Sequence, residues 1–298
     1  MFRTLQNTAS LDFTLVPDGP IVIRAQTVGI DPGVADMEFQ RTHRNGQSTV
    51  FLAGSGLKGV IRSHSERLLR SSGRYACDPT NTKDPSICGR RDLGAPQLPN
   101  YPHANQCGAC FTFGSLHLAG RFRVGDAYPA EGMEEETNRT EVRTGVGIDR
   151  KSQAAATGVL YDTEVVVGGG FRVRVQGENF SLWQLGLILA TLQDMDSGLV
   201  QIGGGKARGM GSVRLQSWSV ELGFLNRETG KLTGAGPSAG DKNKHGLPQN
   251  DILPAPEGSA ESRRGLFRIL RYEGDAALES FAVALIEKPL QRYLEGKG

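Results

Sequence analysis

Two glycine-rich segments place cations where a backbone could hold an anion. Gly54-Ser55-Gly56-Leu57-Lys58-Gly59 leads into a helical pattern, with Arg62 one turn further on. Gly203-Gly204-Gly205-Lys206-Ala207-Arg208-Gly209-Met210-Gly211 leads out of one, toward a strand carrying Arg214. Glycine lets the backbone approach a phosphate and aim its N–H groups at it; a helix N-terminus and a lysine add positive charge there. Neither segment has the phosphate-loop spacing of nucleoside triphosphatases: the first lacks the four-residue gap, and Lys206 precedes Ala207 rather than Ser or Thr. Solvated glycine turns would explain either loop alone. Lys58, Arg62, Lys206, Arg208 and Arg214 around two such loops point instead to a phosphate-bearing polymer, a nucleic acid.

The chain's four cysteines form a second constellation. Ten residues separate Cys77 from Cys88, and Cys107-Gly108-Ala109-Cys110 is a C-x-x-C. Two separate ligands plus one tight pair suit a tetrahedral, all-cysteine structural Zn2+ site that organises a loop with no other framework. His64, His103 or His117 could replace one thiolate. A redox C-x-x-C usually opens a helix in a βαβ setting, whereas this one follows a polar loop. Buried free thiols are the third reading.

Something must hold these residues in place. Residues 10–17, 20–28, 120–129 and 168–178 alternate apolar and polar side chains, as strands do, and 203–222 turns through glycines into another. Residues 57–71 and 181–195 read as helices, the second with Ser181 as N-cap. Residues 29–50 read as a polar loop, and 73–118 as a cysteine-rich insertion. Residues 141–167 read as a two-stranded ribbon with a small-residue tip at Ala154-Ala155-Ala156. Residues 226–264 are poor in apolar residues and read as a flexible insertion, before a helix over 277–294 that Pro289 ends or kinks. Strand, helix, strand, ribbon, strand, helix, strand is the order of a split βαβ, ferredoxin-like α+β domain.

Bulk composition narrows the class. With 298 residues and 38% hydrophobic content the chain can bury a real core, and its 40 glycines argue for turns and close backbone approaches over a helical bundle. A formal charge of +2 demands no polyanionic partner globally, so local basic patches carry that argument. No stretch approaches a membrane span, and the few clustered cysteines do not suit a secreted disulfide scaffold, so the expected compartment is the cytoplasm.

Taken in order, residues 51–68, 107–115, 120–129, 146–166 and 203–215 resemble the RAMP superfamily, specifically a backbone subunit of a type III CRISPR effector complex. The cysteine loop at 76–89 is similar to that of its zinc-bearing members. The resemblance implies a modified RNA-recognition-motif core over 1–222, a thumb hairpin at 141–167, and head-to-tail association along a guide RNA with other effector subunits. It is silent on 223–298, which read as a flexible insertion plus a C-terminal helix. Guide RNA would be held by Gly54, Ser55, Gly56, Lys58, Arg62, Arg150, Gly204, Gly205, Lys206 and Arg208, and the thumb would interrupt the guide–target duplex.

In active members an aspartate before the glycine-loop helix cleaves target RNA. Asp36 fits that place, with Asp31 as the alternative; Ala53 and Thr42 depart from the family pattern. An aspartate holding Mg2+ or Mn2+, or acting as base, suits attack by a 2′-hydroxyl, and Arg41 and His43 nearby could stabilise charge or donate to the leaving group. An inactive RNA-binding scaffold is the competing reading. A standalone guide-processing ribonuclease is a third, disfavoured because such an enzyme needs no polymerising surface.

Overall fold

The structure, a computed structural model, describes residues 4–25, 35–81, 83–84, 87–88, 106–116, 118–225, 228–238, 247–248 and 250–296. The strands are β1 (Asn7–Pro17), β2 (Arg41–Arg44), β3 (Gln47–Val50), β4 (Phe122–Val124), β5 (Tyr128–Pro129), β6 (Thr140–Ile148), β7 (Ala155–Val166), β8 (Phe171–Glu178), β9 (Val213–Phe224), β10 (Lys231–Thr233), β11 (Ile252–Pro254), β12 (Ser259–Arg264) and β13 (Phe267–Glu273). The helices are α1 (Gly54–Ser71), α2 (Gly108–Phe113), α3 (Glu134–Asn138), α4 (Leu182–Asp196), α5 (Ala235–Ser238), α6 (Asp275–Leu285) and α7 (Gln291–Leu294).

One antiparallel sheet runs β12-β13-β9-β1-β8-β4, with β5 also paired to β8. Four neighbouring strands, β9-β1-β8-β4, with α1 between β1 and β4 and α4 between β8 and β9 along the chain, keep the β-α-β-β-α-β order and are consistent with a ferredoxin-like core. Period-two patterning builds it: on β8, Phe171, Val173 and Val175 are buried while Arg172, Arg174 and Gln176 stand exposed. The buried face joins Leu11, Phe13 and Leu15 of β1 and Leu185, Ile188 and Leu192 of α4 in one core. The opposite face is open and charged.

Helix α4 has no polar stripe, and such a helix must be covered on both sides. The sheet covers one side; α6, a wide π-type turn at Ile286–Leu290 containing Pro289, and α7 cover the other. A Cβ on Gly186 would lie 2.7 Å from the Leu285 carbonyl, so only glycine permits that approach.

Several sequence expectations change here. Residues 226–264 are not simply a flexible insertion: β10 pairs with β11, and β12 and β13 extend the main sheet from β9. The composition of β12 is polar because that edge strand is stabilised by backbone pairing rather than burial. Residues 20–25 form only isolated pairings, Ile21 with Val166 and Arg24 with Phe39, so the strand expected over 20–28 is not a sheet member among the described residues. The polar loop at 29–50 contains the hairpin β2–β3, turning on Asn45 and Gly46 with φ of 52° and 80°. That Asn-Gly pair is the local signal for such a turn.

Candidate nucleic-acid interface and cysteine centre

Helix α1 begins at Gly54, so the glycines form its first turns instead of preceding them. Gly54 N donates to Asp126 Oδ1 at 2.7 Å, and a Cβ there would meet Val124 O at 2.4 Å. Gly54 therefore serves packing against β4. Gly56 and Gly59 differ: both are exposed in the first two turns, and a Cβ on either meets nothing within 4 Å. Ser55 is exposed beside them, and Lys58 is half-buried, its pKa lowered by burial and then by Arg62. Arg62 turns inward, pairing with Glu66 at 2.9 Å.

The second loop divides in the same way. Gly203 and Gly211 have φ of 71° and 89°, and a Cβ on either would lie 2.1 Å from a backbone carbonyl, of Val22 and Ile202 respectively. Those two serve the fold. Gly204 N donates to Val22 O, and Gly205 and Gly209 flank a single 3-10 turn that leaves Lys206 and Arg208 exposed. Arg208 donates to the Tyr161 hydroxyl and lies 5.6 Å over its ring. Arg214 contacts Asp18 at 3.4 Å and donates to Asp196 O.

The ribbon β6–β7 collects the remaining candidates. Asp36 is exposed, and its Oδ2 accepts from Asp162 N at 2.9 Å; Met37 then bridges to Thr163. Asp36 and Arg208 thus reach consecutive residues of β7 from segments far apart in sequence. Arg41 is engaged with Glu164 at 2.6 Å, on the same ribbon. His43 is exposed on the β2–β3 hairpin, and no described hydrogen bond joins it to Asp36. Asp31 lies outside the described residues. At the tip Arg150 is exposed, while Asp149 accepts from Lys151 N and Ser152 N, which hold its pKa low.

Sequence reasoning missed Tyr161 and Asp162, whose role depends on β6–β7 register. Gly145 lies opposite Tyr161, and a Cβ there would sit 2.4 Å from the ring, so a glycine–aromatic pair across a ribbon was the available signal. Also missed were the arginine pairs of the open sheet face. Asp12 accepts from Arg174 at 2.7 Å and from Arg172 at 3.4 Å, and Glu221 from Arg264 at 2.6 Å and Arg271 at 2.8 Å.

Cys77, Cys88, Cys107 and Cys110 are all buried and free, with their sulfurs within 4.8 Å of one another. The Cys77–Cys110 and Cys107–Cys77 sulfurs are 3.4 and 3.7 Å apart. Disulfide sulfurs bond at about 2.05 Å, whereas four Zn–S bonds of about 2.3 Å span tetrahedral edges of about 3.8 Å. The spacing suits a shared metal ion. Backbone N–H groups of Cys107 and Cys110 donate to the sulfurs of Cys88 and Cys107. Hydrogen bonds from Cys110 and Cys88 hold the Cys107 thiol low, and sharing with Cys107 pushes Cys88 up to about 12. Crowded thiols that resist joint ionisation alone are what a divalent cation relieves. His64 is not part of this group, which the four cysteines form by themselves among the described residues; its Nε2 meets Asp194 at 2.6 Å. His103 and His117 lie outside the described residues.

A family model described as the RAMP superfamily matches residues 18–214, a span holding both glycine loops, all four cysteines and the ribbon. No curated protein matches the chain. Among the described residues, no helix is long and apolar enough to cross a membrane.

Proposed function

The chain belongs to the RAMP superfamily of CRISPR-associated proteins, and on that premise we propose that it is a guide-RNA-binding backbone subunit of a type III interference complex that cleaves complementary target RNA. Gly56, Gly59, Lys58, Gly204, Lys206 and Arg208 line the guide phosphates, where missing side chains and adjacent cations favour close backbone approach. The ribbon acts as the thumb. Copies add head to tail along the guide beside other effector subunits. The four cysteines hold a structural Zn2+ that shapes the insertion.

Cleavage is assigned to Asp36. Its Oδ2 is oriented by Asp162 N, leaving Oδ1 to take the proton of a target 2′-hydroxyl as that oxygen attacks the adjacent phosphorus. The 5′-oxygen leaves and takes a proton from solvent water, giving a 2′,3′-cyclic phosphate and a 5′-hydroxyl. Arg208, fixed by Tyr161, offers a cation to the charged phosphorane. Mg2+ or Mn2+, if held by the exposed Asp36 carboxylate, would supply charge neutralisation.

The observation carrying this reading is the convergence of Asp36 and Arg208 on residues 162 and 161 of the ribbon. The scaffold reading draws on the same hydrogen bond, since Asp36 is already engaged with the backbone. A reconstituted complex given end-labelled complementary RNA and Mg2+ or Mn2+ separates them. Regularly spaced products that vanish in Asp36→Ala, with target binding retained, support cleavage; a surviving ladder removes Asp36 as the catalyst.

A further inference from the structure

Arg62 follows the exposed glycines of α1 by one turn, a place that invites an RNA contact. Its guanidinium is engaged inside the fold instead. Nη2 lies 3.3 Å from Cys110 Sγ, Nη1 donates to Gly114 O at 2.9 Å, and Nε donates to Glu66 Oε1 at 2.9 Å. Glu66 continues the row to Arg70 at 3.4 Å, and Arg70 donates to the carbonyls of Ala76 and Cys77, both at 2.9 Å. One face of α1 therefore holds both the Cys77 and the Cys110 sides of the cysteine centre.

A divalent ion bound by four thiolates carries two net negative charges, here among four buried residues. Burial of such charge is costly unless N–H donors and cations offset it. Two backbone N–H groups contribute, at Cys88 and Cys107 sulfurs. Among the described side chains, the hydrogen bond from a cation to a cysteine sulfur comes from Arg62.

We propose that Arg62 is a positioning residue of the cysteine metal centre, offsetting its charge through Cys110 Sγ, and is not a phosphate ligand. This rests on the reading of the four cysteines as a metal site. It also places the metal's counter-charge on the helix whose first turns carry Gly56, Lys58 and Gly59, so metal and glycine face share one rigid element.

The test uses the full chain loaded with Zn2+ or Co2+, as wild type, Arg62→Met and Arg62→Lys. Arg62→Met is expected to release zinc to a chromophoric chelator about 10- to 100-fold faster. In the cobalt form its thiolate-to-metal charge-transfer band moves to longer wavelength, because the sulfur lone pairs lose an N–H donor, while the d–d bands stay tetrahedral. Arg62→Lys recovers most of both effects. With metal saturating, the salt dependence of single-stranded RNA binding is unchanged in Arg62→Met. Wild-type zinc release and cobalt spectrum in Arg62→Met, with a log–log salt slope lowered by about 0.7, would overturn the proposal and make Arg62 a phosphate contact. A wild-type chain that binds neither ion overturns the metal reading itself, a result distinguishable from normal metal binding by the variant.

Discussion

Two kinds of glycine stand side by side in α1, and they respond oppositely to the same substitution. Gly54→Ala drives a Cβ into Val124 O and Gly125, so it should destabilise by about 1–3 kcal/mol, typical of overpacking with backbone shift. Gly56→Ala and Gly59→Ala meet open space and gain helix propensity, so each should raise stability by up to about 1 kcal/mol. If these glycines exist for close approach to guide phosphates, the same two variants bind guide RNA several-fold more weakly while melting higher; unchanged RNA affinity would return them to the role of neutral surface positions. Asp251 presents a different residue-scale test. It accepts from Leu182 N at the start of α4, and burial raises its pKa from 3.8 to about 7. A carboxyl that binds its proton more tightly when folded stabilises the fold fully below its unfolded pKa, and that contribution is lost as pH rises through the folded value. Wild-type stability should therefore decline between about pH 4 and pH 7, by up to about 4 kcal/mol at the scale of 1.36 kcal/mol per unit. Asp251→Asn keeps an acceptor for Leu182 N and should lack that slope, which melting curves across the range would show.

At the scale of elements, what could be read beforehand was whatever periodicity encodes. The alternation of Phe171, Val173 and Val175 with Arg172, Arg174 and Gln176 marked β8, and the strongly apolar composition of 181–195 marked α4 as a helix, though not that it is covered on two sides. The cysteine grouping was legible because ligand type and spacing are local. Pairing partners were not. The Ser259–Arg264 segment reads as polar linker because an edge strand is stabilised through its backbone to β13. Likewise Asp36 meets Asp162, and Arg208 meets Tyr161, through tertiary contacts between segments far apart in sequence, which no local pattern reports. The ribbon itself is the element most separable from the core. Val142, Val146, Ile148 and Leu160 are all exposed, and Val165 and Val166 at its base are buried. Replacing residues 147–158 with a two-residue Asn-Gly turn should leave the melting midpoint within about 2 °C, as surface changes usually fall within about 0.5 kcal/mol. In the assembled complex the same change should abolish the regular spacing of target products. A ladder of unaltered spacing would show that some other element interrupts the duplex.

At the scale of the whole molecule, the C-terminal segment ties the cysteine centre to the core. Tyr293 stacks on Trp183 of α4 at 3.7 Å and 4°, and Arg74 caps the ring from the other end of α1. The Tyr293 hydroxyl also occupies the space a Cβ on Gly108 would need, at 2.5 Å, so the C-x-x-C helix and the chain's last helix fit one another closely. Arg62 and Arg70 complete the circuit from α1 to the same cysteines. A centre held by α1, α2, α4 and α7 together cannot loosen alone, and metal loss should lower the stability of the entire fold. On the proposed zinc reading, removing the ion with a strong chelator should therefore lower the far-ultraviolet and near-ultraviolet melting midpoints together, in one transition, as expected of a single cooperative unit. Tyr293→Ala should act in the same direction even with metal present, costing about 2–4 kcal/mol for the lost ring packing. It should also speed zinc release, because the ring no longer backs the C-x-x-C turn. Separate transitions for the cysteine insertion and the sheet would show instead that the centre is an independent module, and Tyr293→Ala would then leave zinc release unchanged.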